Sequence, residues 1–301
     1  MLNKVAVVTG ANAGIGFQTT LSLLGMGARV VMACRSMDKA MQAQRELLAE
    51  VPGADTVIIP LDLSEPESVR EFSRRFAGEI GRLDLLVNNA GIVGIPLARN
   101  SVGQEMQLAT NYLGGFALTG LLLPMFPASG WARIVNVGSL MNRFSRLDLD
   151  DLNWEKTPYN EWQGYGRSKV AMLSFTLELD RRLRKSGSNI VALSAHPGFA
   201  ATNIHQNSAA LQPKSAFDAW RKKKLEPLIP RAAQAARPIV HAATADTVQG
   251  GEYYGPKGLF EIAGKKVGKA RINRVARDTA LGKRLWTLSE SMTGVRYLSD
   301  L

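Results

Sequence analysis

Cysteine is all but missing from this sequence of 301 residues: Cys34 stands alone. A lone thiol excludes an intramolecular disulfide and a cysteine-built zinc site, and it fits a reducing compartment. Histidine is scarce too. His196, His205 and His241 have no metal-ligand spacing, and His196, directly before Pro197, reads as a packed residue rather than a ligand. The N-terminal stretch MLNKVAVVTG lacks the basic, apolar and small-residue succession of a signal peptide, so a cytoplasmic protein is expected. Uncharged runs are few. The one from Met106 to Ala132 is broken by Pro124, Pro127 and four glycines, which favours a helix buried in the core or in a subunit interface over a membrane span. A homo-oligomer is left open.

Acids are also in short supply, 26 against 37 basic residues, for a net charge of +11. The imbalance is concentrated late: from residue 214 onward there are 17 basic residues and 8 acids, many of them in WRKKK at 220–224 and in KKVGKARINRVAR at 265–277. A basic segment of this kind, here about 257–301, attracts nucleic acid, anionic lipid or a phosphorylated ligand, or else serves only as a solvated surface. No nucleic-acid motif accompanies it, so no nucleic-acid partner is expected; peripheral membrane contact is left open.

What is present is an alternation. KVAVVTG (4–10) is a β-branched run ending in glycine, a helical pattern runs from Ile15 to about Met26, and ARVVMACR (28–35) is a second apolar run. DTVIIPLDLS (55–64), RLDLLVNNAG (82–91), RIVNVGS (133–139) and NIVALSAHPG (189–198) continue the series, with a charged helix near 66–80. Strands alternating with helices predict an α/β fold: one doubly wound, mainly parallel sheet of Rossmann type with helices on both faces. A single domain over 1–301 is expected. Ligands in such folds bind at the carboxyl ends of the strands.

TGANAGIG (9–16) sits at the first such end. Gly10, Gly14 and Gly16 let the backbone turn tightly and approach a pyrophosphate, and the following helix start offers N–H groups, with Asn12 and Ile15 in the same loop. The spacing is GxxxGxG rather than GxGxxG. At the end of the second strand, where an acid would accept from the adenosine ribose, stand Cys34 and Arg35, with no acid before Asp38. That favours NADP(H), with NAD(H) left open.

YGRSK (165–169) poses a question of its own. Tyr165 and Lys169 either sit on a solvated helix face or stack at i, i+4, where the ammonium would lower the phenol pKa toward neutrality and create a general acid or base. With the glycine loop, NNAG (88–91), Ser139 at a strand end and YGRSK in this order, the sequence closely resembles the short-chain dehydrogenase/reductase family over almost its whole length. The resemblance implies that Tyr165 is the catalytic acid/base and Ser139 orients the substrate oxygen. It implies that Lys169 binds the nicotinamide ribose and lowers the Tyr165 pKa, and that Asn111 holds a water in the proton relay. It implies further that Asp62 and Leu63 flank the adenine, that Asn89, Ala90 and Gly91 line the cofactor cleft, and that Pro197, Gly198 and Thr202 lie near the nicotinamide.

The 26 residues from Ser139 to Tyr165 and the insertion RFSRLDLDDLNWEKTPYNEWQG resemble the retinol dehydrogenase-like and protochlorophyllide reductase-like branch. Gly138 departs from the family, in which a serine often precedes the catalytic one; one cofactor contact is put in doubt. Relatives carry a substrate lid near 203–231, and Leu211, Phe217, Trp220, Leu225, Leu228 and Ile229 in that stretch suggest an apolar alcohol, aldehyde or ketone, or are ordinary packing residues. A catalytically silent dinucleotide-binding protein, regulatory or membrane-surface-associated, is the alternative.

Overall fold

The computed structural model describes residues 1–198 and 231–299. Thr202 and nearly all of the expected lid segment lie outside them. The strands are β1 (Val5–Thr9), β2 (Arg29–Cys34), β3 (Thr56–Pro60), β4 (Leu85–Asn88), β5 (Ala132–Val137), β6 (Ile190–Ala195), β7 (Tyr253–Pro256) and β8 (Val267–Lys269). They form one sheet in the order β3-β2-β1-β4-β5-β6-β7-β8. Every pairing is parallel except β7 with β8, which is antiparallel. The chain therefore winds outward from β1 to β3 and then resumes on the other side of β1 with β4. Between β1 and β4 the winding reverses, which opens a crevice at the carboxyl ends of those two strands.

The expected α/β architecture is the one observed, and its physical basis lies in the strands. All residues of β4 and β5 are buried, as befits strands covered on both faces. On one face pack α1 (Gly14–Gly25), α2 (Met37–Glu50) and α7 (Ala232–Thr244), around Leu23, Leu47 and Ile239. On the other lie α3 (Pro66–Glu79), α5 (Gly114–Leu122), α6 (Glu161–Lys185) and α8 (Thr279–Thr293), around Phe72, Phe116, Phe175 and Trp286.

The uncharged run resolves into a short turn α4 (Met106–Leu108), a π-helical turn at Ala109–Leu113, and α5. The stretch Met106–Met125 is long and apolar enough to cross a membrane, yet 72% of it is buried inside the fold. Its apolarity is accounted for by the core, with Tyr112, Phe116 and Leu118 fully enclosed.

Candidate active site

A cleft of about 710 Å³ opens at the carboxyl ends of β1 to β4. The sequence positions it from below. Gly10 and Gly14 adopt φ of +65° and +54°, the left-handed region in which a side chain is strained. A Cβ on Gly16 would run into the Gly10 carbonyl and lie 2.6 Å from Asn89 Nδ2. Helix α1 starts at Ala13 with no side-chain cap, so its first N–H groups are left for a ligand. Uncapped amides and absent side chains together form a cradle that fits a dinucleotide pyrophosphate.

The opposite wall is locked to β1. Thr9 Oγ1 accepts from the amides of Asn89 and Ala90, both at 2.9 Å, and Asn89 Nδ2 donates to the Thr9 carbonyl at 2.8 Å. Gly10, Asn12, Gly14, Ile15, Gly16, Arg35, Asp62, Leu63, Asn89, Ala90 and Gly91 all line this one cleft. Asp62 Oδ1 accepts from the Ser64 amide and hydroxyl, while Oδ2 lies 3.8 Å from Arg35 Nη1. Cys34 sits beneath the loop, its thiol pushed up to about 11 by burial, against which the Asn12 and Ala11 amides pull.

The second group of predicted residues gathers beyond Gly91. Asn111 lies in the π-helical turn, a one-residue bulge that re-aims a side chain. Its Oδ1 accepts from the Ile92 amide at 2.7 Å, and its Nδ2 donates to the Ile92 carbonyl and to Ser168 Oγ. A Cβ on Gly91 would lie 3.0 Å from Asn111 Oδ1 and 3.6 Å from Lys169 Nζ, so the two side chains converge on that glycine. Ser139 lies two residues past β5 and caps a 3₁₀ turn, its Oγ accepting from the Met141 amide at 3.2 Å. Tyr165, in the first turns of α6, faces the Ser139 hydroxyl, which draws its pKa down. The glycine inside YGRSK is required by this approach, because a side chain at Gly166 would run into Ser145 Oγ.

One expectation is corrected. The Lys169 ammonium was expected to lower the Tyr165 pKa, but it lies 5.8 Å from the phenol ring centroid and donates to the Val137 carbonyl at 2.9 Å. Burial holds the phenol above its ordinary value, and the Ser139 hydroxyl is the group that draws it back. Burial also pushes the Lys169 ammonium down, to about 8. The strand-end carbonyl captures the lysine because an unpaired ammonium at that depth would be costly.

The model of the short chain dehydrogenase family matches residues 4–212. This chain belongs to the short-chain dehydrogenases. Retinol dehydrogenase 13 of Mus musculus is 37% identical over 295 residues, covering 97% of this chain and 84% of that protein. The crystal structure of an uncharacterized protein from Mycobacterium paratuberculosis is 36% identical, with a TM-score of 0.80 over 98% of this chain and 95% of that one. The active-site complex of Pseudomonas aeruginosa RhlG with NADP is 26% identical, with a TM-score of 0.65 over 84% and 94%. The dehydrogenase is thus an NAD(P)-dependent oxidoreductase of the retinol dehydrogenase-like branch.

Some residues of this dehydrogenase's site went unnoticed in the sequence. Lys39 and Gln42 of α2 line the cleft beside Arg35. Lys39 stands four residues after Arg35, a spacing that a search for a second cation near the second strand end would have found. Thr9, whose hydroxyl latches the NNAG strand end, precedes the glycine loop and carries no signal of its own. His196, read as packed, is fully buried, and its Nδ1 accepts from the Gly198 amide at 3.1 Å, holding the Pro197–Gly198 turn. Among the described residues no cluster of histidine, cysteine or acid side chains could hold a metal ion.

Proposed function

We propose that the dehydrogenase exchanges hydride between NADP(H) and an apolar alcohol or carbonyl compound, with Tyr165 as proton donor and acceptor. The observation that carries this reading is the grouping of Ser139, Tyr165, Lys169 and Asn111 beyond Gly91, which itself lines the cleft above the glycine cradle. When bound, the nicotinamide supplies or accepts the hydride. Everything else falls to the chain. Ser139 and Tyr165 hydroxyls aimed at one oxygen favour the negative charge that develops there in the transition state. Lys169 and Asn111 stand by for the proton path, the first anchored on the Val137 carbonyl near the Tyr165 ring and the second on the Ile92 backbone.

Preference for NADP(H) rests on Arg35, whose side chain is 73% exposed at the cleft wall, and on Lys39 beside it. Two cations and no ribose-facing acid before Asp38 suit a 2′-phosphate. An apolar substrate is supported by the retinol dehydrogenase names of the relatives and by Phe144, Leu259 and Phe260. These are 80%, 79% and 72% exposed, on segments joined by the Arg143 hydrogen bond to the Phe260 carbonyl. The same reading takes the enzyme to be cytoplasmic, as suits a free thiol; recovery in a membrane fraction would overturn that.

The test is absorbance of NADPH and NADH with a panel of aldehydes and ketones. Oxidation of NADPH by long-chain or cyclic carbonyls is expected, abolished in Tyr165→Phe with NADPH affinity intact, and shifted toward NADH in Arg35→Ala. Tight NADPH binding without turnover of any carbonyl would leave a silent dinucleotide-binding protein instead.

A further inference from the structure

Directly behind Ser139 lies a second tyrosine, Tyr253 of β7, only 2% exposed. Its position explains the glycine that departs from the family pattern. A Cβ on Gly138 would lie 2.7 Å from the Tyr253 hydroxyl and 2.9 Å from its ring, so the phenol occupies the space a serine side chain would need. That hydroxyl donates to the Ser139 carbonyl at 3.2 Å. Asn142 Nδ2 donates to the same carbonyl and approaches the Tyr253 oxygen at 3.3 Å, and Asn142 is itself held by Asn273 through its own carbonyl.

The other side of the Tyr253 ring faces His196, with centroids 5.0 Å apart. Burial holds the imidazole neutral by lowering its pKa. Since Nδ1 accepts from Gly198, the proton sits on Nε2, which faces Glu261 at 3.1 Å. Glu261 also pairs with Arg143, four residues after Ser139. Glu261 and its neighbour Phe260 both have positive φ, 59° and 51°, a strained backbone that the pairing holds in place. A side chain at Gly255 would collide with the His196 ring, so the glycine after Tyr254 is part of the same fit. Three strands are thereby tied together: β5 through Ser139 just past its end, β6 through His196 just past its end, and β7 through Tyr253 at its start.

We infer that Tyr253 is a positioning residue which fixes the Ser139 hydroxyl against Tyr165, and that His196 extends this strut to the Pro197–Gly198 turn. The inference rests on Ser139 and Tyr165 acting together as proposed above. A phenylalanine would fill the same volume but leave the Ser139 carbonyl to Asn142 alone. With that anchor gone Ser139 is held less firmly, and its influence in drawing the Tyr165 ionisation down is weakened. The ionisable groups facing Tyr165 are Lys169 from α6 and Tyr253 from β7, and only the second is altered.

The test is Tyr253→Phe, read in two ways. Phenolate absorbance is titrated with pH in the presence of NADP, with the Tyr165→Phe protein as the subtraction that isolates Tyr165. Ionisation of Tyr165 is expected to move to higher pH, in the direction given by Ser139→Ala, with the melting temperature nearly unchanged. In turnover, kcat is expected to fall about tenfold with KM for NADPH unchanged, as misalignment of a reacting group costs rate rather than binding. Gly138→Ala, which drives the phenol off its seat, is expected to give the same alkaline shift. A Tyr165 titration in both variants that matches the parent overturns the inference. If the parent turns over no carbonyl the functional reading fails, while the titration still decides the strut.

Discussion

Lys169 places an ammonium where only 4% of the residue is exposed, and the consequence is a stability that depends on alkaline pH. Its pKa is pushed down from 10.5 to about 8 in the folded protein by burial. Below pH 8 both folded and unfolded chains carry the charge, and the folded chain bears the full burial cost. Between about 8 and 10.5 the unfolded chain binds more protons, so stability rises with pH across that window. Compared with Lys169→Met, the parent is therefore expected to gain up to about 3 kcal/mol between pH 8 and 10.5. At neutral pH the comparison is closer, because the variant leaves the Val137 carbonyl without its donor, a loss of about 1–3 kcal/mol. Urea denaturation of both proteins at pH 7, 8.5 and 10.5 measures this; parallel pH profiles would show that Lys169 is solvated in the folded state.

At the scale of elements, α5, α6 and α8 are joined by aromatic rings. Phe116 has the rings of Tyr297, Trp286 and Phe175 at 5.0, 5.2 and 5.4 Å. Phe116→Ala is expected to cost about 3–5 kcal/mol, seen as a lower urea midpoint with an unchanged slope. Gly120 admits the Tyr297 ring, a contact no local pattern announces.

The elements legible in the sequence were those whose signal is local. Strands β1 to β6 read as apolar, β-branched runs, and the glycine loop and NNAG stand at their ends. By contrast β7 and β8 are four and three residues long, the second an antiparallel edge, and too short to carry a periodicity. The ATNYLGG segment reads as an ordinary helix, because a π-turn is a matter of one hydrogen-bond register and leaves no compositional trace. The candidate site divides in the same way. Its cofactor residues follow from strand ends, whereas the direction of the Tyr165 shift is set by how deeply the phenol is buried, which i, i+4 spacing does not fix.

Across the whole molecule, Cys34 is a built-in reporter. It is 1% exposed at the end of β2, beneath the amides of Ala11 and Asn12, and its thiol titrates only near pH 11. A thiol reagent can reach it only by parting the glycine loop from β2. Labelling at pH 8 is therefore expected to be slow, and NADPH at a hundred times its Kd should slow it by about 100-fold, since the ligand suppresses the open form by mass action. A rate indifferent to NADPH would mean that the thiol is reached with the cradle intact.

The two halves of the site also close over different lengths of chain. Thr9 and Asn89, which frame the cradle, are 80 residues apart and are delivered early; the Ser139 carbonyl waits for Tyr253, 114 residues downstream. A ribosome synthesising this chain from its N-terminus thus releases both frames of the cradle before the residue that braces the serine. Along the chain, the parts that shape a dinucleotide site come before the part that supports its catalytic end.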